Sequence, residues 1–216
     1  VAKAATWKLL GDVRVDSYRW NDAIDAYNSS LEDMPAGTSA PGALFGRANA
    51  KEGLKDYAGA VEDYGKCLEL RPNGPDAATP RFERAQALKQ LGRWEEAIVD
   101  YDAAADAFTA NRQKREAKIA EAQAAFAKFE SGDVPSATAR LETLARQLYS
   151  SDVRAALAAT YWRAGDAAKA EDTWLDLCQI EDAQCGKYTD KEWLMSYRKW
   201  TPGLADAMQD FLKLRS

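Results

Sequence analysis

The sequence predicts an all-α fold of helical hairpins stacked one on another. Three observations carry that expectation. Small and bulky residues recur in a fixed order, with key alanines at 23, 60 and 97, each 37 residues from the next. Gly, Asp or Pro falls between the recurring segments, where helices turn or end. A lone helical pair cannot bury its apolar stripe, so recurring pairs must pile into a solenoid.

The copies justify themselves in order. The first reads Trp7, Leu10-Gly11, then Trp20, Ala23-Ile24, Tyr27, Ser30 and Pro35. The second has Arg47-Ala48, then Tyr57, Ala60-Val61, Tyr64, Cys67 and Pro72. Arg84-Ala85, Leu91-Gly92-Arg93-Trp94, Ala97-Ile98, Tyr101 and Ala104 make the third. Two weaker copies follow: Ala124-Ala125, Gly132-Asp133-Val134, Ala137 and Leu141, then Leu157-Ala158, Tyr161, Gly165-Asp166-Ala167, Ala170, Trp174 and Leu177.

The small residues Gly11, Ala48, Ala85, Ala125 and Ala158 let two helix axes approach. The alanines at 23, 60, 97, 137 and 170 do the same from the second helix. Trp20, Tyr57, Trp94, Tyr27, Tyr64, Tyr101 and Trp174 fill the space between neighbours. Gly53, Gly92, Gly132 and Gly165 are expected in the turns, and Pro35 and Pro72 are expected to end second helices.

This pattern resembles the tetratricopeptide repeat (TPR) family, in five copies over about residues 4–36, 41–73, 77–110, 115–147 and 150–180. The resemblance implies two antiparallel helices per copy and a right-handed superhelix through residues 1–180. Arg14 and Lys51 depart from the pattern, standing where a large aromatic usually closes the first-helix signature. The first two connections also carry extra residues, including Pro35 to Gly42.

Residues 186–216 stop repeating and are expected to form capping helices over the exposed end of the stack. Thr201-Pro202 is a good helix start, with a capping side chain and Pro in the first turn. The apolar series Leu204, Ala207, Met208, Phe211, Leu212 and Leu214 then has helical spacing. The tail's Cys185-Gly-Lys-Tyr188, Trp193, Arg198-Lys-Trp200-Thr-Pro202 and terminal Phe211-Leu212 look like the ending of plant and algal chloroplast TPR proteins, some assigned to the thylakoid lumen. That second resemblance implies a photosynthetic organelle. The chain begins at Val1 rather than Met, the expectation for a processed product.

Charge and composition narrow the chemistry. Twenty-nine basic and 34 acidic residues leave a net charge of −5, so no basic field exists to hold nucleic acid. The absence of histidine removes the usual general base and the commonest metal ligand. No catalytic set, phosphate-cradling loop, metal or cofactor motif is present. No apolar run approaches the roughly 20 residues of a membrane span. Cys67 reads as packing filler. Cys178 and Cys185 could be bridged in an oxidising compartment or remain two thiols.

In the resembled family the first helix of each copy lines a partner-binding groove. Carried over, the groove positions are Lys8 and Asp12, then Phe45, Asn49 and Glu52, then Phe82, Gln86 and Lys89. Ile119, Phe126 and Phe129 follow, and Trp162 completes the strip. Its rings imply a protein partner with a hydrophobic or aromatic-bearing segment, unless several belong to inter-helix packing. The clamp that holds acidic chaperone tails is missing: only Lys8 fits, and Asp12, Gly46, Thr79 and Glu83 stand where its other members belong. The basic run Lys114-Arg115 to Lys118 and the acids Glu95, Glu96, Asp100 and Asp102 are expected on solvated helix faces. A non-catalytic adaptor is the leading expectation, plausibly in assembly of, or attachment to, a photosystem. A permanent structural subunit and a general peptide-binding co-chaperone are the alternatives.

Overall fold

A computed structural model describes residues 2–35, 40–72, 75–148, 150–180 and 185–213. The described elements are helical throughout: α1 (Ala2–Asp16), α2 (Trp20–Glu32), α3 (Pro41–Gly53), α4 (Tyr57–Leu70), α5 (Ala78–Gln90) and α6 (Trp94–Ala110). Then come α7 (Lys114–Glu130), α8 (Val134–Gln147), α9 (Ser151–Arg163), α10 (Ala167–Ile180), α11 (Lys191–Ser196) and α12 (Pro202–Lys213). Short 3₁₀ turns at Pro75–Ala77 and Gly186–Thr189 precede α5 and α11. No helix among the described residues is long and apolar enough to cross a membrane. The chain divides into two compact units, Val1–Lys114 and Arg115–Ser216.

In the first unit α1 pairs with α2, α3 with α4 and α5 with α6, and each pair stacks on the next through α2–α3 and α4–α5. The residue sizes explain the stacking. Ala23, Ala48, Ala60, Ala85 and Ala97 are wholly enclosed, as are the rings of Tyr27, Tyr64 and Tyr101. A small residue on one helix admits a large ring from its neighbour, which is how solenoid interiors reach native packing density. The limit is tight: a Cβ on Gly46 would sit 2.4 Å from the Tyr27 ring.

The hairpin turns use a left-handed residue at the same register. Gly92, Gly132 and Gly165 have φ of 70°, 91° and 82°. In the first two hairpins that position falls on Tyr18 and Lys55, with φ of 58° and 62°. Gly53 is therefore not a turn glycine. It lies inside α3, where a Cβ would be 2.5 Å from the Trp20 ring, so contact and not backbone freedom demands Gly. Asp56, Asp133, Ser150 and Asp190 cap the helices that follow them by accepting a backbone N–H.

In the second unit α8 packs on α9 and α9 on α10, and the tail folds back so that α12 lies on α9. Ala137, Leu141, Leu144, Ala158, Ala170 and Leu177 are wholly enclosed. The start of α12 is not capped by Thr201. That hydroxyl is buried without a hydrogen-bond partner, and the Glu130 carboxylate at the end of α7 accepts from Gly203 N and Leu204 N instead. An acid at a helix N-terminus also meets the positive end of the helix dipole. Cys178 and Cys185 are disulfide-bonded with Cα atoms 5.5 Å apart, while Cys67 is a buried free thiol. The residues between Glu181 and Gln184 in the turn, and Leu214 in the terminal apolar series, lie outside the described residues.

Candidate functional site

The first helices of the first unit present a recurring polar contact. Tyr27 donates its hydroxyl to Asp12 Oδ1 at 2.9 Å, and Tyr101 donates to Gln86 Oε1 at 2.6 Å. Between them Tyr64 bonds Asn49 Oδ1 at 2.5 Å and Glu52 Oε2 at 2.7 Å, sharing its one proton. Each tyrosine lies 15 residues after its acceptor and 37 after the previous tyrosine. The second helix thus holds the first helix's groove residue by its oxygen. Burial drives all three phenols well above their ordinary range, so they stay protonated donors.

A second recurring contact locks the second and third hairpins internally. Arg47 forks onto Asp63 with bonds of 2.7 and 2.6 Å, and Arg84 onto Asp100 with 2.6 and 2.7 Å. Lys51 adds a 2.8 Å contact to Asp63. Burial raises the Asp63 carboxyl, but the Arg47 and Lys51 bonds outweigh it and hold it below the usual range. Asp100 is consequently a buried structural ion, not the solvated helix-surface acid its spacing implied. In the first hairpin the same two positions are Leu10 and Ala26.

The groove positions divide by burial. Lys8, half-buried, contacts Asp12 at 2.7 Å. Phe45 lies 5.7 Å from the Tyr64 ring and Phe82 5.5 Å from the Tyr101 ring, each half-buried. Lys89 is enclosed, unlike the groove cation expected. It stands at the register of the partly enclosed Glu52, one repeat of 37 residues later. Glu83 is held up to about 7 by burial and by the Glu52 charge, and burial also raises Glu52. Beside Phe45 opens a cleft of about 640 Å³ lined by apolar Pro41, Leu68 and Pro80 and by polar Arg71, Asp76 and Thr79.

In the second unit Phe126 and Phe129 are core residues, not an open groove. The tail accounts for this. Trp200 lies 5.8 Å from Phe126, and Phe211 lies 5.9 Å from Trp162 and 6.1 Å from Trp174. Tyr188 joins Trp174, Trp193 and Trp200 in the same aromatic cluster, and donates to Asp152, which also takes the Arg198 fork. Ile119 remains exposed on α7. The two polar contacts were missed at the sequence level, although their constant 15- and 16-residue spacings were there to find.

Residues 41–73 match the family model for the tetratricopeptide repeat. No curated protein matches the chain in sequence. Among solved structures it is similar to MamA (residues 41 to the end) from Desulfovibrio magneticus RS-1, at 16% identity and TM-score 0.69 over 85% of this chain and 98% of that one. It is similar to YrrB, described as a TPR protein with an unusual peptide-binding site, at 17% identity and TM-score 0.65 over 82% and 85%. The apo form of RapI matches 98% of this chain and 84% of its own at 11% identity and TM-score 0.72. The shared feature is the fold: stacked helical hairpins of the tetratricopeptide type.

Proposed function

We propose that the chain is a non-catalytic protein-interaction scaffold whose first unit takes a hydrophobic or aromatic-bearing segment of a partner protein. The cleft beside Phe45 supports this reading, since Pro41, Leu68 and Pro80 join that half-buried ring in an apolar lining. Phe45 and Phe82 supply apolar contact. Asn49 and Gln86, held through their oxygens by tyrosines, offer amide N–H groups to a partner's backbone. Lys8, tied to Asp12, sits on the same face. The peptide-binding description of YrrB is consistent with such a role.

The tail's resemblance to chloroplast TPR proteins supports a finer reading: a factor in assembly of a photosystem, or a peripheral subunit attached to a thylakoid complex. The Cys178–Cys185 bridge supports an oxidising compartment such as the thylakoid lumen. A tail-docking role is the weaker alternative, because the tail's rings are spent on internal packing.

Co-purification from the native source followed by mass spectrometry names the partner. A peptide from the partner segment should then bind the purified chain at high salt and lose at least ten-fold affinity on Phe45→Ala plus Phe82→Ala, with helicity retained. Unchanged affinity discards this face.

A further inference from the structure

The first hairpin holds its groove acid between two donors. Asp12 accepts from Tyr27 at 2.9 Å and from Lys8 at 2.7 Å. One repeat of 37 residues later, and again one after that, the register of Lys8 is taken by Phe45 and Phe82. The acids do not vanish with the lysine. Tyr64 bonds Glu52 at 2.7 Å, and Glu83 lies one turn before Ala87, which packs on Tyr64. The charges of Glu52 and Glu83 reach each other and both phenols, Tyr64 and Tyr101.

The cations nearest in sequence are engaged elsewhere. Lys51 and Arg84 adjoin the two acids but bond Asp63 and Asp100 within their own hairpins, since adjacent residues on a helix do not share a face. Among the described residues no cation pairs with Glu52 or Glu83. Two half-buried like charges side by side weaken the fold until something neutralises them, and burial with the Glu52 charge holds Glu83 up to about 7.

We propose that the partner segment bound by the first unit carries a lysine or arginine whose cation seats between Glu52 and Glu83, beside Phe45 and Phe82, a requirement that rests on the binding face proposed above. The two carboxylates take the N–H donors of such a group, and a desolvated cation also gains from the face of an aromatic ring. Lys8 on Asp12 is the same pairing made within the chain. A metal ion does not fit, because among the described residues no three acidic, cysteine or histidine side chains gather to hold one.

The test uses the full chain at pH 8, where Glu83 is ionised, and immobilised pools of short random peptides. Each pool fixes one phenylalanine and, at a second position, lysine, arginine, norleucine or glutamate. The lysine and arginine pools should be retained at least ten-fold better than the norleucine pool, and the glutamate pool least of all. Glu52→Gln plus Glu83→Gln should erase that preference while retention through the phenylalanine persists. Glu83→Gln alone, which keeps the fold by circular dichroism, should already lower it. Glu95→Gln plus Asp106→Asn removes as much charge from exposed positions and should leave the preference standing. Equal retention of the lysine and norleucine pools, a preference that survives loss of Glu52 and Glu83, or one that both double variants weaken alike would each overturn the proposal. Retention that is absent, or indifferent to Phe45→Ala plus Phe82→Ala, would instead discard the binding face itself and the cation with it.

Discussion

The two units apply one hairpin plan to opposite ends. In both, small residues at fixed register let helices close on each other, and bulky residues line the first helices. In the first unit the rings Phe45 and Phe82 stay half-buried, Phe45 beside an open cleft. In the second, Phe126 and Phe129 belong to one enclosed core with Trp200, Leu204 and Phe211 of the tail, and Trp200 lies 5.8 Å from Phe126. Register therefore decides which side of a helix a residue is on. What covers that side is decided by a return of the chain that register does not encode.

Removing the tail is the severest way to break the comparison. Truncation after Lys187 strips Tyr188, Leu194, Trp200, Leu204, Met208 and Phe211 from the core. It should cost roughly 5 kcal/mol or more, comparable to the stability of a small domain. Thermal unfolding with a hydrophobic dye should register both a lost transition and newly exposed surface. The truncation is accordingly no neutral control for groove binding.

Single-ring variants sharpen the contrast. Trp200→Ala should destabilise by about 3–5 kcal/mol, as a large enclosed ring does, whereas half-buried Phe45→Ala should cost only about 1 kcal/mol. Equal losses by urea denaturation would mean that the two faces are equally closed.

The buried forks give a third test. Asp100→Ala should cost about 3 kcal/mol by leaving Arg84 without its carboxylate. Arg84→Leu with Asp100→Ala, which copies Leu10 and Ala26 of the first hairpin, should restore most of that loss in chemical denaturation.

Glu83 supplies the smallest effect. Its carboxyl titrates near 7 in the folded chain, against 4.5 for an unperturbed glutamate. The folded state binds the proton more tightly, so this residue's contribution is fully present below about pH 4.5 and is lost as pH rises through 7. Glu83→Gln should flatten that fall and stabilise the chain at pH 8 by on the order of 1–2 kcal/mol, after discounting for partial solvation. Melting curves from pH 4 to pH 8 would read it, and parallel curves for the two proteins would remove Glu83 from the account.

Much of the fold was legible because packing in a solenoid is local. The alanines at 23, 60 and 97 and the glycines at 92, 132 and 165 play the roles their spacing implied. Gly53 misled because a glycine signals either a left-handed turn or a close ring, and sequence does not separate the two. Lys89 misled because a lysine on a helix usually reaches solvent, whereas here it is enclosed. The covering of Phe126 was illegible for a stronger reason: Glu130 and Gly203 meet across 73 residues, and no repeat spacing announces that meeting. Asp100 looked solvated since a charged residue on a helix usually is, and only its arginine 16 residues earlier could have marked it.

The tyrosine contacts have a consequence for how such a surface can diversify. One phenol, kept at one register, donates to a carboxylate in the first hairpin, to a short amide in the second and to a long amide in the third. Because the anchoring bond asks only for an oxygen, the opposing side chain is at liberty to change charge and reach without disturbing the scaffold. A row of such positions can change its chemistry one hairpin at a time while the backbone beneath it stays the same.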